Sequence, residues 1–196
     1  FNFFDSFIRA AFLEEISKMV IIIFFCARKD EFDEPMDGLV YGVAASLGFA
    51  AYENINYVLY YFNEPSFELA TIRAYTAVPM HAVCGIMMGF LITQSIFEKN
   101  HNYLNLVLAL LIPVGIHGLY NFSLTSSLIS HEIAYVILVV FIIRAWFLFK
   151  NLKKKQNQSI MFNKKYYTIS LNQFINASTT VLLIMLGFNY LISISL

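Results

Sequence analysis

A chain of 196 residues with 59% hydrophobic, 17% aromatic and only 13% charged residues lies far from the roughly 25% charged average of soluble domains. Its formal net charge is zero and it has two cysteines, so neither a basic nucleic-acid binder nor a disulfide scaffold fits. So much apolar surface needs a bilayer as solvent, and the expectation is an all-α polytopic membrane protein of about six transmembrane helices.

Six windows span, or nearly span, a bilayer core of ~30 Å at a helical rise of about 1.5 Å per residue. The first, Phe7–Ala27, is interrupted by Glu14, Glu15 and Lys18. A charge at mid-bilayer costs roughly 2.5–3.5 kcal/mol on insertion scales, so adjacent carboxylates there need a buried partner or a task. These charges, and the lack of a small-residue cleavage site, separate the window from a signal peptide. Because the chain starts at Phe1 and not at Met, one or more further helices are expected to precede it. The acidic stretch Asp30–Asp37 reads as a solvated loop.

The second window, Gly38–Phe62, carries a small-residue stripe of Gly38, Gly42, Ser46 and Ala50 that leads to Asn54. In the third, Ala70–Ile96, Pro79 lies two residues before His81, and a second stripe runs on through Gly85 and Gly89. Such stripes let helix backbones approach closely without a hydrophobic driving force between them. The fourth, Leu104–Leu128, holds Pro113 four residues before His117; each proline removes a backbone hydrogen bond and is expected to kink its helix. The fifth, Ile133–Phe149, is the shortest and has Arg144 near its end, and the sixth is Phe174–Leu196. Residues 7–128 hold the motifs, and 129–196 read as accessory helices of one domain, 1–196. Cys26 and Cys84 fall within spans, lack a CxxC partner and read as apolar packing.

Lysine and arginine set the expected orientation. Lys150, Lys153, Lys154, Lys155, Lys164 and Lys165 follow the fifth window, which makes the Lys150–Lys165 loop cytoplasmic by the positive-inside rule. Alternation puts Arg28, Lys29 and Lys99 on the same side, while the opposite loops, Asn63–Leu69 and Ile129–Glu132, have no Lys or Arg. Tyr57, Tyr60 and Tyr61 then mark the outer interface, and Trp146, Tyr166 and Tyr167 the inner one. The basic linker also suits contact with anionic lipid heads.

In this orientation the intramembrane polar groups reach similar depths. Counted in turns from the outer ends of their helices, Glu14 and Glu15 lie about two deep, Glu53 and Asn54 about two, His81 about three, His117 about two and Asn121 about one. His117 and Asn121 are i,i+4 and share a face. Four helices placing polar groups in one half of the bilayer predict a single hydrated site.

The strings Glu14-Glu15-x-x-Lys18, Phe49-x-x-x-Glu53-Asn54, Arg73 followed by Pro79-Met80-His81-Ala82, and His117-Gly118-Leu119-Tyr120-Asn121 occur in order on successive helices. Together they resemble the PrsW family of intramembrane proteases, relatives of the type II CAAX prenyl proteases, over roughly Phe7 to Phe122. The resemblance implies a peptidase of the bacterial inner membrane that cuts single-pass membrane proteins, anti-sigma factors among them, towards the outer face. Asn121 stands where the PrsW pattern has Asp; His-x-x-x-Asn is the pattern of the prenyl-protease relatives.

Peptide hydrolysis needs an activated water, oxyanion stabilisation and a proton donor for the leaving amine. Glu14, withdrawn from water and flanked by His or Lys, suits the general base, with His81 orienting the water. Consecutive helical residues point about 100° apart, so one of Glu14 and Glu15 faces the water while the other pairs with Lys18 or Arg73; the relatives favour the first as base. His117 and Asn121 suit the oxyanion, and Lys18, Glu53, Asn54 and Arg73 support. Zinc is the competing chemistry, held by His81, His117 and Glu14 with an open water position. HExxH is absent, so the sequence favours no cofactor over zinc.

His101 and His131 read as exposed loop residues, and Ser6, Ser46 and Ser95 lack a His–Asp partner pattern. No phosphate-binding loop or nucleic-acid surface is evident. A non-catalytic assembly subunit, as in the γ-secretase relative, and a proton-coupled transporter are the alternatives. The retained Glu-Glu pair and both His residues favour the enzyme, and no inverted repeat favours the transporter.

Overall fold

A computed structural model describes residues 3–59, 66–97, 102–127, 130–158 and 168–195, and among them every regular element is helical. The first window forms one helical run in three parts: a π-helical stretch Asp5–Phe12, an α-helical turn pair α1 (Leu13–Val20) and a second π stretch Ile21–Cys26. π turns admit an extra residue per hydrogen-bonded ring and recur at functional sites. Here they bracket the α turns carrying Glu14, Glu15 and Lys18.

The second window becomes α2 (Pro35–Leu59), and the fourth becomes α5 (Tyr103–Thr125). The third does not run as one helix. It divides into a short α3 (Phe67–Tyr75) and α4 (Ala77–Phe97), with Thr76 between them at φ −123° and ψ −70°. Pro79 explains the break: its ring conflicts with the carbonyl four residues back, at Tyr75, where α3 ends. The proline thus starts a helix instead of kinking one, in the first-turn position that tolerates it. Ser66 caps α3 by accepting the Leu69 N–H at 3.1 Å, so part of the expected outer loop is helical. Pro113 sits inside a continuous α5.

The fifth window lengthens to α6 (Glu132–Gln158), so it is not a short span, and the sixth forms α7 (Leu171–Ser195). Arg144 lies exposed in the middle of α6, where its long side chain can snorkel. The α6 extension reaches the acidic stretch, where Gln156 donates to Glu34 at 2.6 Å and accepts from the Met36 N–H at 3.2 Å. Asp37 turns back to accept from the backbone N–H groups of Glu34 and Asp33, at 2.7 and 3.1 Å. That stretch is therefore a structured helix start, with Phe32 fully buried within it. Tyr60, Tyr61, Lys99, His101, Lys164, Lys165, Tyr166 and Tyr167 lie outside the described residues.

Four stretches, Phe67–Phe97, Tyr103–Thr125, Glu132–Lys154 and Leu171–Ile194, are long and apolar enough to cross a membrane. Over its most apolar 18 residues the first of these is 72% buried and the last two only 22%, so α4 is the centre of the bundle and α6 and α7 present most of their surface to lipid. The two remaining helical windows, the first run and α2, bring in the carboxylates Glu14, Glu15 and Glu53.

Close packing of α2 on α4 locks the bundle. A Cβ added at Gly42 would run into the carbonyl of Gly85, one at Gly85 into the carbonyl of Gly42, and one at Gly89 into the carbonyl of Gly38. The two small-residue stripes thus interlock, and they aim Asn54 and His81 at the same end of the bundle.

Candidate active site

Three helices bring three donor groups to one point. Glu14 of α1, His81 of α4 and His117 of α5 each offer one ligand atom, and these atoms all lie within 4.8 Å of one another. His81 and His117 are each 1% exposed, with rings 5.1 Å apart edge to face. The Glu14 Oε2 atom is buried without a hydrogen-bond partner among the described residues and lies 3.8 Å from His117 Nε2.

Glu14 and Glu15 occupy different places. Glu15 is fully buried; its Oε1 accepts from Lys18 Nζ at 2.6 Å and from His117 Nδ1 at 2.8 Å. Ionised, that carboxylate can only accept, so His117 donates to it from Nδ1 and turns its Nε2 towards Glu14. Arg73 is not a partner of Glu15.

Lys18 is equally buried and extends the network: its ammonium also reaches His81 Nδ1 at 2.7 Å and lies 5.2 Å from the centre of the Phe49 ring. A charged Lys18 can only donate, so His81 accepts on Nδ1 and donates from Nε2 to Glu53 Oε2 at 2.8 Å. Arg73, supplied by α3, closes the chain by donating Nη2 to Glu53 at 2.9 Å and Nε to Asn54 at 2.7 Å. Its guanidinium stacks over Tyr57 at 4.1 Å. One hydrogen-bonded ladder therefore runs from Glu15 through Lys18, His81 and Glu53 to Arg73.

A cleft of about 270 Å³ gives access to this ladder. Glu53, Arg73, His81, His117, Tyr120 and Asn121 are among its lining residues. Asn121 thus shares the cleft with His117 one turn away. Of the residues singled out in the sequence, Glu14, Glu15, Lys18, Glu53, Asn54, Arg73, His81, His117 and Asn121 meet in this region, whereas His131 is exposed and apart. Cys84 is buried and Cys26 partly so, and both are free thiols.

Two aromatic residues support the site. Tyr57, read as an interface marker, is the platform for Arg73, and Phe49 packs against both Lys18 and His81, the latter with ring centres 6.2 Å apart. The signal was helical spacing: Phe49, Glu53 and Tyr57 follow one another at i,i+4 along α2.

The family model described as PrsW family intramembrane metalloprotease matches residues 1–146. Among curated proteins, the chain is 34% identical over 161 residues to Protease PrsW of Oceanobacillus iheyensis, covering 82% of this chain and 71% of that protein. It is 36% identical over 162 residues to Protease PrsW of Bacillus subtilis, with the same coverage of 82% and 71%. Protease PrsW of Geobacillus kaustophilus is 38% identical over 123 residues, which are 63% of this chain and 53% of that protein. No solved structure matches the chain.

Proposed function

Given that the chain belongs to the PrsW family of intramembrane proteases, we propose that Glu14, His81 and His117 form the centre at which it hydrolyses peptide bonds. The observation that carries this reading is the meeting of the three donors within 4.8 Å inside a buried charge network. Charged and imidazole groups held inside a bilayer bundle cost too much to be kept as packing alone.

The donor set suits a divalent metal, zinc by its chemistry. Two histidines and one glutamate with an open position make a catalytic zinc set. The orphaned Glu14 oxygen is an unsatisfied atom that such an ion would complete, and the Nε2 of His117 lies 3.8 Å from it. Glu15 then holds His117 as an outer carboxylate holds a ligating imidazole. A metal there would act as a Lewis acid on the scissile carbonyl and supply an activated water.

The chain's own groups do the rest. Lys18 neutralises Glu15, Glu53 and Arg73 fix the ring of His81, and the cleft beside Tyr120 and Asn121 receives the peptide. The Asn121 amide, one turn from His117, is positioned to donate to a developing oxyanion.

A second reading has its own observation. Both His81 nitrogens are engaged, by Lys18 and by Glu53, so His81 must give up one partner to ligate a metal. Without a metal, Glu14 takes a proton from the attacking water and returns it to the leaving amine, and His117 and Asn121 stabilise the oxyanion. The substrate is a single-pass membrane protein; the family resemblance supports the anti-sigma class, and the run of lysines from Lys150 supports a bacterial inner-membrane orientation with that segment cytoplasmic.

Purified protein in proteoliposomes offered a single-pass substrate tests this. Cleavage should vanish in Glu14→Gln and His117→Ala. Loss of activity on chelation, restored by zinc, supports the metal centre, and chelator-resistant cleavage supports the metal-free base. Wild-type rates in both variants would refute the proposed centre.

A further inference from the structure

A second concavity lies on the far side of α4. It is an apolar groove of about 720 Å³ between α2, α4 and α6, and it shares no lining residue with the active-site cleft. Its walls include Leu39 and Val43 of α2, Pro79 and Val83 of α4, and Ala145 and Trp146 of α6. Along α2 it runs from Met36 to Leu47, which is about 17 Å at the helical rise and close to half of a ~30 Å bilayer core. One leaflet's acyl chain has that depth.

The rim at the Met36 end is cationic. Lys150 Nζ sits 4.8 Å from the centre of the Trp146 ring, and Lys153 Nζ sits 5.9 Å from that of Phe149, so both ammonium groups are held over aromatic residues that line the groove. Lys150, Lys153 and Lys154 are all exposed. Two nearby carboxylates have partners other than these lysines: Glu34 is hydrogen-bonded to Gln156, and Asp37 caps the backbone of Asp33 and Glu34. Apolar walls one leaflet deep under a lysine-bearing rim match an anionic phospholipid, chain in the groove and phosphate on the lysines.

We propose that the α2–α4–α6 groove is a binding site for an anionic phospholipid whose phosphate is met by Lys150 and Lys153. The groove backs onto α4 within two residues of His81, at Pro79, Ala82 and Val83. Its occupant therefore bears on the helix that carries an active-site imidazole.

Trp146 is the only tryptophan in the chain, it is 54% exposed and it lines the groove, so its fluorescence reports occupancy. The intact protein is reconstituted into phosphatidylcholine vesicles, and phosphatidylglycerol or phosphatidylcholine with brominated chains is titrated in. Two lysines facing an anionic headgroup predict half-maximal quenching at a roughly thirtyfold lower mole fraction of brominated phosphatidylglycerol. Lys150→Gln/Lys153→Gln, both at exposed positions, should abolish the difference while leaving phosphatidylcholine quenching in place. Val43→Phe should weaken quenching by filling the groove. Equal quenching by the two lipids in the wild-type protein, or a preference that survives loss of both lysines, would overturn the proposal and leave ordinary boundary lipid.

Discussion

Glu14 and Glu15 are neighbours with opposite fates, and the difference makes sharp predictions. Glu15 balances a fully buried Lys18, so Glu15→Gln leaves an uncompensated ammonium in the interior. Breaking a buried pair by removing one partner costs about 3–5 kcal/mol, which thermal unfolding in detergent should register as a large drop in midpoint. Glu15→Gln combined with Lys18→Met removes both charges and should recover most of that loss. Glu14→Gln, whose Oε2 has no hydrogen bond to lose, should melt like the wild type and yet be inactive. Glu53 acts at one remove, through the ring of His81. Partners of this kind typically contribute 10–100-fold, so Glu53→Gln should slow cleavage by that order, and because it also strips the largely buried Arg73 of its carboxylate it should lower the melting midpoint.

The residues of this ladder were legible in the sequence because a charge in an apolar window is conspicuous. Their pairing was less so. Whether Lys18 or Arg73 would neutralise a glutamate depended on facing, and α1 settles it by placing Glu15 and Lys18 three residues apart on one face. Arg73 reaches Glu53 only because α3 ends at Tyr75 and turns, which follows from a proline four residues on.

At the level of elements, the α2–α4 contact is the joint that sets the site. Gly42 and Gly85 face each other's carbonyls, so Gly42→Ala or Gly85→Ala must force the helices apart. Overpacking of this kind costs typically 1–3 kcal/mol, and here it also displaces His81 from the Glu53 side. Gly48, on the same helix as Gly42, has open space where its Cβ would go. Gly48→Ala should therefore leave both melting temperature and activity unchanged, and a matched loss at Gly48 and Gly42 would contradict the interlock. The stripes themselves were readable as a period of four. The π stretches either side of α1, and the extension of α6 to meet Glu34, were not: the first π stretch packs on α5, the second on α2, and the α6 extension carries the Gln156 contact, tertiary partners that no local pattern encodes.

Across the whole molecule, charge and apolarity are partitioned by helix. The helices α1, α2, α4 and α5, with Arg73 of α3, carry the polar network, while α6 and α7 turn mostly apolar surface outward, as a bundle closed around a hydrated centre in lipid requires. Composition and window lengths sufficed to read this architecture, because a bilayer permits so few solutions. The meeting point of Glu14, His81 and His117 is not encoded in any one helix, because length and composition leave each helix free to rotate about its axis and only packing fixes its facing. Three side chains serving one centre act as a unit, so their losses do not multiply.

The most direct measurement is the rate of single-pass substrate cleavage in proteoliposomes by Glu14→Gln, His81→Ala, His117→Ala and the triple variant. A shared centre predicts that each single change costs at least ~10³-fold and that the triple variant is no slower than the worst single one. Losses that multiply, or a single variant that cuts at the wild-type rate, would show that the three residues do not work at one place.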